Sequence, residues 1–230
     1  MPIHDGHRQR LRQQFLREGL DNFTEIQALE LLLYPIIPRK DTNPIAHELL
    51  ERFGGFSQVL EAPVEELTKI KGIGENTAAY LHMVLDAGRY YQISRSRQSK
   101  ILSSLDKCGE YLTAFFYGKQ VENIYLLCLD AKCMVLTCQK VGEGSVNSAG
   151  LSIRKIVEIA LRANASAAVL AHNHPSGLAI PSDEDIATTR KVAAALAAVD
   201  IQLADHIVVA DNDYVSMVQS GLRLDSEERI

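Results

Sequence analysis

Apolar residues recur at spacings of three and four through much of residues 21–91, which is the periodicity of one buried helix face. The segments EIQALELLLYPI, NPIAHELLERF and TAAYLHMVLDAGRYY show this period, and Pro and Gly residues separate them. The pattern predicts a small all-helical module in this part of the chain.

The segment QISRSRQSK, residues 92–100, is polar, basic and rich in serine, and it has no apolar period. Such a composition is typical of a linker. We therefore place a domain boundary near residue 100, with a helical domain over residues 1–98 and a second domain over residues 102–230.

Beyond this boundary, strand-like and helix-like patterns alternate. The segments NIYLLCLD and KCMVLTCQKVGEG predict two strands joined by a short turn. Two amphipathic segments, SIRKIVEIALRANA and EDIATTRKVAAALAAVD, predict helices on either side of the apolar strand SAAVLAHN. Helices interleaved with strands indicate a mixed sheet flanked by helices. The chain as a whole is predicted to be α+β.

Composition narrows the class of protein. With 230 residues, 47% of them apolar, the chain can bury a sizeable core. Its apolar runs are shorter than the ~20 residues of a membrane-spanning helix, and the polar N-terminus lacks a secretion signal pattern. We expect no membrane span and a cytoplasmic location. The first 100 residues carry equal numbers of acidic and basic side chains, so the net charge of −5 lies in the second part, which argues against its broad attraction to nucleic acid.

A motif in AHNHPSGLAIPSDED points to chemistry: His172, His174, Ser182 and Asp185 form the pattern His-x-His, seven residues, Ser-x-x-Asp. Residues two apart at the end of a strand share a face, so the two imidazoles can converge. The loop after them allows the helix beginning at Ser182 to fold back over the histidines. Two imidazoles and one carboxylate leave a fourth tetrahedral position open, which is typical of catalytic zinc.

Each part of this motif also has an ordinary structural interpretation. Ser182 and Asp185 fit a variant of the capping box, which accounts for both without a metal. Either histidine alone is more often a hydrogen-bonded residue of the core or rim. The four residues together, at fixed spacing, favour the metal site. The two interpretations of Ser182 are compatible, because a helix N-terminus also favours an ionised Asp185.

The strings HNHPSG, PSDED and ADHIVVADNDYVSM resemble the RadC-like (UPF0758) family, whose C-terminal domain is an MPN domain with the JAMM metalloprotease motif. The string ELTKIKGIGENTAAYL resembles that family's N-terminal helix-hairpin-helix region, so the resemblance covers essentially the whole chain. It implies a cytidine-deaminase-like α/β domain that holds one Zn²⁺ through His172, His174 and Asp185. It also implies an upstream glutamate as general acid/base, with Ser182 near the bound water.

The family places this glutamate at the start of the first strand of the domain, where Glu122 opens ENIYLLCLD. A carboxylate that does not bind the metal can take a proton from water and deliver it to a leaving amine. The alternatives are that Glu122 is a solvent-facing strand-end residue, or that Glu158, on a predicted helix face, takes the role. Ser182 is expected to donate a hydrogen bond to the oxyanion formed at the substrate carbonyl.

Three further polar residues are expected near the site. Ser145, in GEGSVNS, is a candidate that also fits an ordinary turn serine. Asp205 and His206 match an Asp-His pair of the family and are expected to support the metal ligands, although they equally fit a satisfied pair in the core. Asn173 should point away from the metal face under strand alternation, so it is given no metal role.

The string IKGIGENTAAYL predicts a hairpin in the helical module, with Gly72 and Gly74 on either side of Ile73. Glycines there leave backbone N–H groups free to approach a phosphate at the start of the next helix. Lys69 and Lys71 add positive charge, which favours nonspecific DNA contact through residues 67–80. The alternative is a tight helix turn with no ligand, in a module that is electrically neutral.

Three functions follow from these features. The first is a JAMM-class zinc hydrolase that cleaves an amide, peptide or isopeptide, in an unidentified peptide or protein substrate. The second is a DNA-associated accessory protein in which the hairpin binds DNA and the metal site is not catalytic. The third is a deaminase or nuclease that uses the same metal, although the sequence lacks the Pro-Cys-x-x-Cys ligand pair of zinc deaminases.

Overall fold

The first part of the chain is helical. A computed structural model describes residues 3–96, 101–144, 151–175, 177–211 and 213–224. Contacts between residues divide the chain into two units, Met1–Gly88 and Arg89–Ile230. The helices that begin in the first unit are α1 (Ile3–Glu18), α2 (Glu25–Leu33), α3 (Asn43–Phe53), α4 (Phe56–Glu61), α5 (Val64–Leu67) and α6 (Glu75–Ser96).

Local signals in the sequence explain the ends of these helices. Thr24 caps α2 in a capping box, in which its hydroxyl accepts the N–H of Gln27 and the Gln27 side chain accepts the N–H of Thr24. Helix α3 ends at Gly54, whose φ of 95° lies in the left-handed region that favours glycine. The apolar faces meet in one core that includes Leu29, Leu49 and Leu81. The predicted all-helical module is confirmed.

The interpretation of residues 92–100 as a linker is wrong in its first part, because α6 continues through Ser96. Polar and charged side chains do not stop a helix when they face solvent, and the Ser94 hydroxyl donates to the carbonyl of Tyr91 within the helix. Residues 97–100 lie outside the described part of the chain.

The second unit contains a five-stranded mixed sheet. Its elements are α7 (Leu105–Phe116), β1 (Asn123–Leu129), β2 (Val135–Glu143), α8 (Ile153–Arg162), β3 (Ala167–Asn173), α9 (Asp183–Ala197), β4 (Gln202–Ala210) and β5 (Asp213–Ser216). The strand order is β2-β1-β3-β4-β5. Strands β3 and β4 are parallel and joined through α9, and the other neighbours are antiparallel. The predicted α+β fold class, with a mixed sheet flanked by helices, is confirmed.

Alternating side chains of the strands give the sheet two buried faces. On one face, Leu126 and Leu170 belong to a core shared with Ile156 of α8 and Val192 of α9. On the other face, residues such as Leu127 and Val169 pack with α7. The first face is the one that carries the predicted metal ligands.

No helix within the described ranges is both long and apolar enough to cross a membrane.

Candidate metal centre

Three side chains of the motif converge where β3 ends and α9 begins. His172 is the second-last residue of β3, His174 follows the strand directly, and Asp185 lies in the first turn of α9. The Nε2 atoms of the two histidines are 2.9 Å apart. The Asp185 carboxylate oxygens lie 3.4 Å from Nε2 of His172 and 3.6 Å from Nε2 of His174.

This group has the size and chemistry of a metal site. One ligand atom from each residue lies within 4.8 Å of the others. Bonds of ~2.0–2.2 Å in a tetrahedral zinc site place neighbouring ligand atoms roughly 3.3 Å apart, which is close to the observed separations. The side chains of His172 and Asp185 are 1% and 6% exposed, whereas His174 is 17% exposed, so solvent reaches the group from the His174 side. The residues present therefore fit a bound metal ion with one accessible side.

The capping interpretation of Ser182 is also realised. The Ser182 hydroxyl accepts the N–H of Asp185 and donates to Oδ2 of Asp185 at 2.6 Å, and the Ser182 N–H donates to the same oxygen at 2.8 Å. These contacts form the capping box of α9 and hold the carboxylate towards the histidines. Because the hydroxyl gives its one proton to Asp185, donation to a substrate oxyanion requires this hydrogen bond to break, and that role stays a prediction.

Each histidine makes a second contact through Nδ1. His174 Nδ1 lies 3.0 Å from the carbonyl oxygen of Leu178, in the loop between the ligands. His172 Nδ1 lies 2.8 Å from Nε2 of His206, and the other nitrogen of His206 contacts the hydroxyl of Thr189. Burial lowers the pKa of His172 to about 4, although the Asp185 carboxylate opposes this shift. Burial also holds the pKa of His206 well below its ordinary value.

The structure separates the predicted pair Asp205 and His206. His206 pairs with Leu170 and faces the candidate metal ligands, whereas Asp205 pairs with Val169 and faces the α7 side of the sheet. Successive residues of a strand point to opposite faces, which is why only one of the two reaches the site. The expectation that the Asp205 side chain supports the ligands directly is therefore wrong. Its carboxylate accepts the backbone N–H groups of His206 and Val218.

Asn173, between the two histidines, faces away from the metal group as expected, and its side chain holds the segment that precedes β1. Its Oδ1 accepts the N–H of Asn123 at 2.7 Å, and its Nδ2 donates to the carbonyls of Val121 and Lys119 at 3.2 and 3.4 Å. These bonds fix the approach to β1, including Glu122. Sequence reasoning gave Asn173 no metal role and did not anticipate these hydrogen bonds, because their partners lie about 50 residues away in the chain.

Glu122 lies one residue before β1, and its carbonyl accepts the N–H of Gly144. Ile124 pairs with His172 across the antiparallel strands β1 and β3. Continued by two residues beyond the paired strands, this register would bring Glu122 opposite His174. Glu158, the competing glutamate, lies on the exposed side of α8 and pairs with Arg162 at 2.6 Å. Ser145 lies outside the described residues.

The hairpin of the helical unit connects α5 and α6. Gly72 has a φ of 102°, which favours glycine, and Ile73 is buried in the core between two exposed glycines. Lys71 is exposed, whereas Lys69 forms an ion pair with Glu66. Glu75 lies in the first turn of α6. The positive charge beside this turn is therefore partly neutralised, and DNA contact through it stays a prediction.

The sheet, its flanking helices and the His-His-Asp group together define a JAB-type domain. A family model described as a RadC-like JAB domain matches residues 102–222. A UPF0758 protein of Ruegeria pomeroyi is 34% identical over 94% of this chain and 96% of its own length. A UPF0758 protein of Fusobacterium nucleatum is 32% identical over 94% and 97%, and one of Methylibium petroleiphilum 37% identical over 93% and 96%. The chain belongs to the RadC-like JAB domain family.

Proposed function

We propose that this protein is a zinc-dependent hydrolase that cleaves an amide bond, peptide or isopeptide, in a peptide or protein substrate. The observation that carries the proposal is the convergence of His172, His174 and Asp185 at the end of β3, with solvent access beside His174. Two imidazoles and one carboxylate suit zinc, and three protein ligands leave room for substrate chemistry.

A bound zinc ion would act as a Lewis acid and make water acidic enough to attack a carbonyl at neutral pH. The protein would supply the rest of the chemistry. Asp185 is held by the α9 capping box, and burial keeps His172 neutral and able to bind a metal. Glu122 would take the proton of the attacking water and deliver it to the leaving amine, which leaves as the C–N bond breaks. Asn173 supports this role because it fixes the backbone on both sides of Glu122.

The first test is the zinc content of the purified protein by elemental analysis. We expect about one zinc ion per chain, and its loss in His172→Ala and in Asp185→Asn. Asp183→Asn is the matched control, because Asp183 lies exposed in the same first turn of α9. A native protein that neither contains zinc nor takes it up would contradict the proposal.

The second test is digestion of a peptide library and of isopeptide-linked substrates by the zinc-loaded protein. We expect cleavage that is abolished in Glu122→Gln and retained in Glu158→Gln, since Glu158 is exposed on α8. Loss of activity in both variants, or in neither, would exclude Glu122 as the specific proton carrier.

DNA contact through the hairpin is a second candidate function. One observation favours it: Gly72 and Gly74 are exposed on either side of the buried Ile73, and open space surrounds the position of a Cβ on Gly74. A phosphate could therefore approach the backbone at the start of α6. Glu66 and Glu75 beside the turn would weaken such a contact.

A further inference from the structure

Two buried polar residues lie behind the metal group, and neither would bind the metal itself. Thr189 is on α9, four residues after Asp185, and His206 is on β4. Both are completely buried. The Thr189 hydroxyl contacts Asp185 and His206, and His206 contacts His172, so the two residues form a continuous chain of hydrogen bonds that ends at a candidate ligand.

The direction of the first hydrogen bond is fixed by chemistry. The Thr189 Oγ1 lies 2.5 Å from the backbone carbonyl oxygen of Asp185, and a carbonyl can only accept. The hydroxyl therefore donates its one proton to this carbonyl, because donation to Nδ1 of His206 instead would leave two oxygen atoms 2.5 Å apart with no proton between them. Met217 Sδ, at 3.8 Å, is a far weaker acceptor. The hydroxyl oxygen then accepts a proton from Nδ1 of His206.

The same reasoning shows which nitrogen of His172 carries the proton. A neutral imidazole carries one N–H, so His206 with its proton on Nδ1 has a lone pair on Nε2. That lone pair faces Nδ1 of His172 at 2.8 Å and accepts its proton. His172 then carries no proton on Nε2, which is the atom 3.4 Å from the Asp185 carboxylate.

We propose that Thr189, acting through His206, is a positioning residue that holds His172 in the tautomer whose Nε2 is free to bind the metal. The inference rests on the metal site of the proposed function. His174 shows the same principle in a shorter form, because the carbonyl of Leu178 fixes the proton of His174 on Nδ1. Both imidazoles are thus oriented by a backbone carbonyl, one directly and the other through two side chains.

The chain also joins two ligands. The carbonyl at its far end belongs to Asp185, whose carboxylate is the third candidate ligand. The turn of α9 that supplies the carboxylate therefore also sets the tautomer of His172. A variant that breaks this chain but keeps all three candidate ligands is therefore expected to bind the metal with lower affinity.

The test uses Thr189→Val, which removes the hydroxyl and keeps the side-chain shape, and Thr189→Ser, which keeps the hydroxyl. Thr188→Val is the matched control, because Thr188 is a buried neighbour on the same helix that makes none of these contacts. Two quantities are measured in the full-length protein. Long-range ¹H–¹⁵N spectra of the metal-free protein report the tautomer of each histidine, and competition with a chromophoric chelator gives the affinity for zinc.

We expect His172 to be the Nδ1–H tautomer in the native protein, Thr188→Val and Thr189→Ser. In Thr189→Val we expect the tautomer to become mixed and the zinc affinity to fall by about 10–100-fold. Thr189→Ala, which also lacks the hydroxyl but cannot overfill the site, replaces Thr189→Val if that variant does not fold. A native tautomer and native affinity in the folded variant without the hydroxyl would overturn the inference.

The two proposals fail in different ways. A native protein that never binds zinc contradicts the proposed hydrolase. The further inference is still tested in that case, because the tautomer of His172 is measured in the metal-free native protein and in metal-free Thr189→Val.

Discussion

The side-chain amide of Asn173 accepts the backbone N–H of Asn123 at 2.7 Å, and so joins the strand of the histidine ligands to the start of β1. Asn173 is 4% exposed and its amide also donates to the carbonyls of Val121 and Lys119. The residue between the two candidate ligands therefore holds the segment of Glu122, while the candidate ligands face the other side of the strand.

Replacement of Asn173 by Ala should loosen this segment. The substitution leaves the N–H of Asn123 buried without its acceptor, which costs about 1–3 kcal/mol. We expect faster hydrogen exchange at residues 121–124 and a nearly unchanged zinc affinity, because the metal ligands remain. Asn76→Ala, at an exposed position of α6, is the control and should change neither quantity. Unchanged exchange at residues 121–124 would show that Asn173 does not hold this segment.

Loss of the α9 cap should affect both stability and metal binding. Ser182→Ala removes the hydroxyl that contacts the N–H and Oδ2 of Asp185, so we expect a loss of about 1 kcal/mol in the free energy of unfolding and weaker zinc binding. Ser152→Ala is the control, because the Ser152 hydroxyl also accepts a backbone N–H, that of Lys155, but does so at the start of α8 and without a carboxylate partner. Both variants are measured by denaturant unfolding and zinc titration. Equal zinc affinities in the two variants would mean that the cap does not orient Asp185.

The metal-free protein should lose stability in mild acid. Burial lowers the pKa of His172 from its ordinary value of 6.5 to about 4 in the folded state. Below pH 6.5 the unfolded chain therefore binds a proton that the folded chain excludes, and the stabilisation present above pH 6.5 is lost as the pH falls to about 4. The difference corresponds to up to about 3 kcal/mol, and burial of His206 acts in the same direction.

Denaturant unfolding of the chelator-treated protein at pH 7.5 and 4.5 measures this loss. We expect His172→Gln to show a smaller loss between the two pH values, and His47→Gln, at an exposed position of α3, to show the full loss. The same loss in all three proteins would assign the acid sensitivity to other groups.

If the hairpin contacts DNA, Lys71 should contribute through charge alone. Lys71→Gln should weaken binding similarly for every sequence, and should reduce the slope of log affinity against log salt concentration by about 1. Lys132→Gln, an exposed lysine of the second unit, is the control. Binding to labelled duplex and single-stranded DNA by fluorescence anisotropy gives both quantities. A salt slope unchanged by Lys71→Gln would remove the hairpin as the contact.

Much of the fold could be predicted because its signals are local. Thr24 and Ser182 cap the starts of α2 and α9, the left-handed Gly54 ends α3, and all three are residue types typical of those positions. The helical period of residues 92–96 was hidden by polar side chains, which a solvent-facing helix end accepts as readily as a linker does. Composition could not distinguish a solvent-facing helix end from a linker, because the side chains of both are exposed to water.

The grouping of His172, His174 and Asp185 was also expected from the sequence, since their spacing places two residues on one strand face and one in the next helix turn. The spacing could not show which nitrogen of each imidazole faces the carboxylate, because that depends on partners distant in the chain. The resemblance led us to expect His206 near the ligands, but no local signal marked Thr189 as its partner. The four-residue step from Asp185 to Thr189 shows only that these two residues lie one helix turn apart.

The sequence by itself determined the helical module, the mixed sheet and the residues able to bind a metal, because capping, periodicity and motif spacing are properties of neighbouring residues. Only the tertiary structure decided that His206 faces the ligands while Asp205 faces α7, and that Asn173 holds the segment of Glu122. The register between strands sets these contacts, and register arises from the packing of two cores on opposite faces of one sheet.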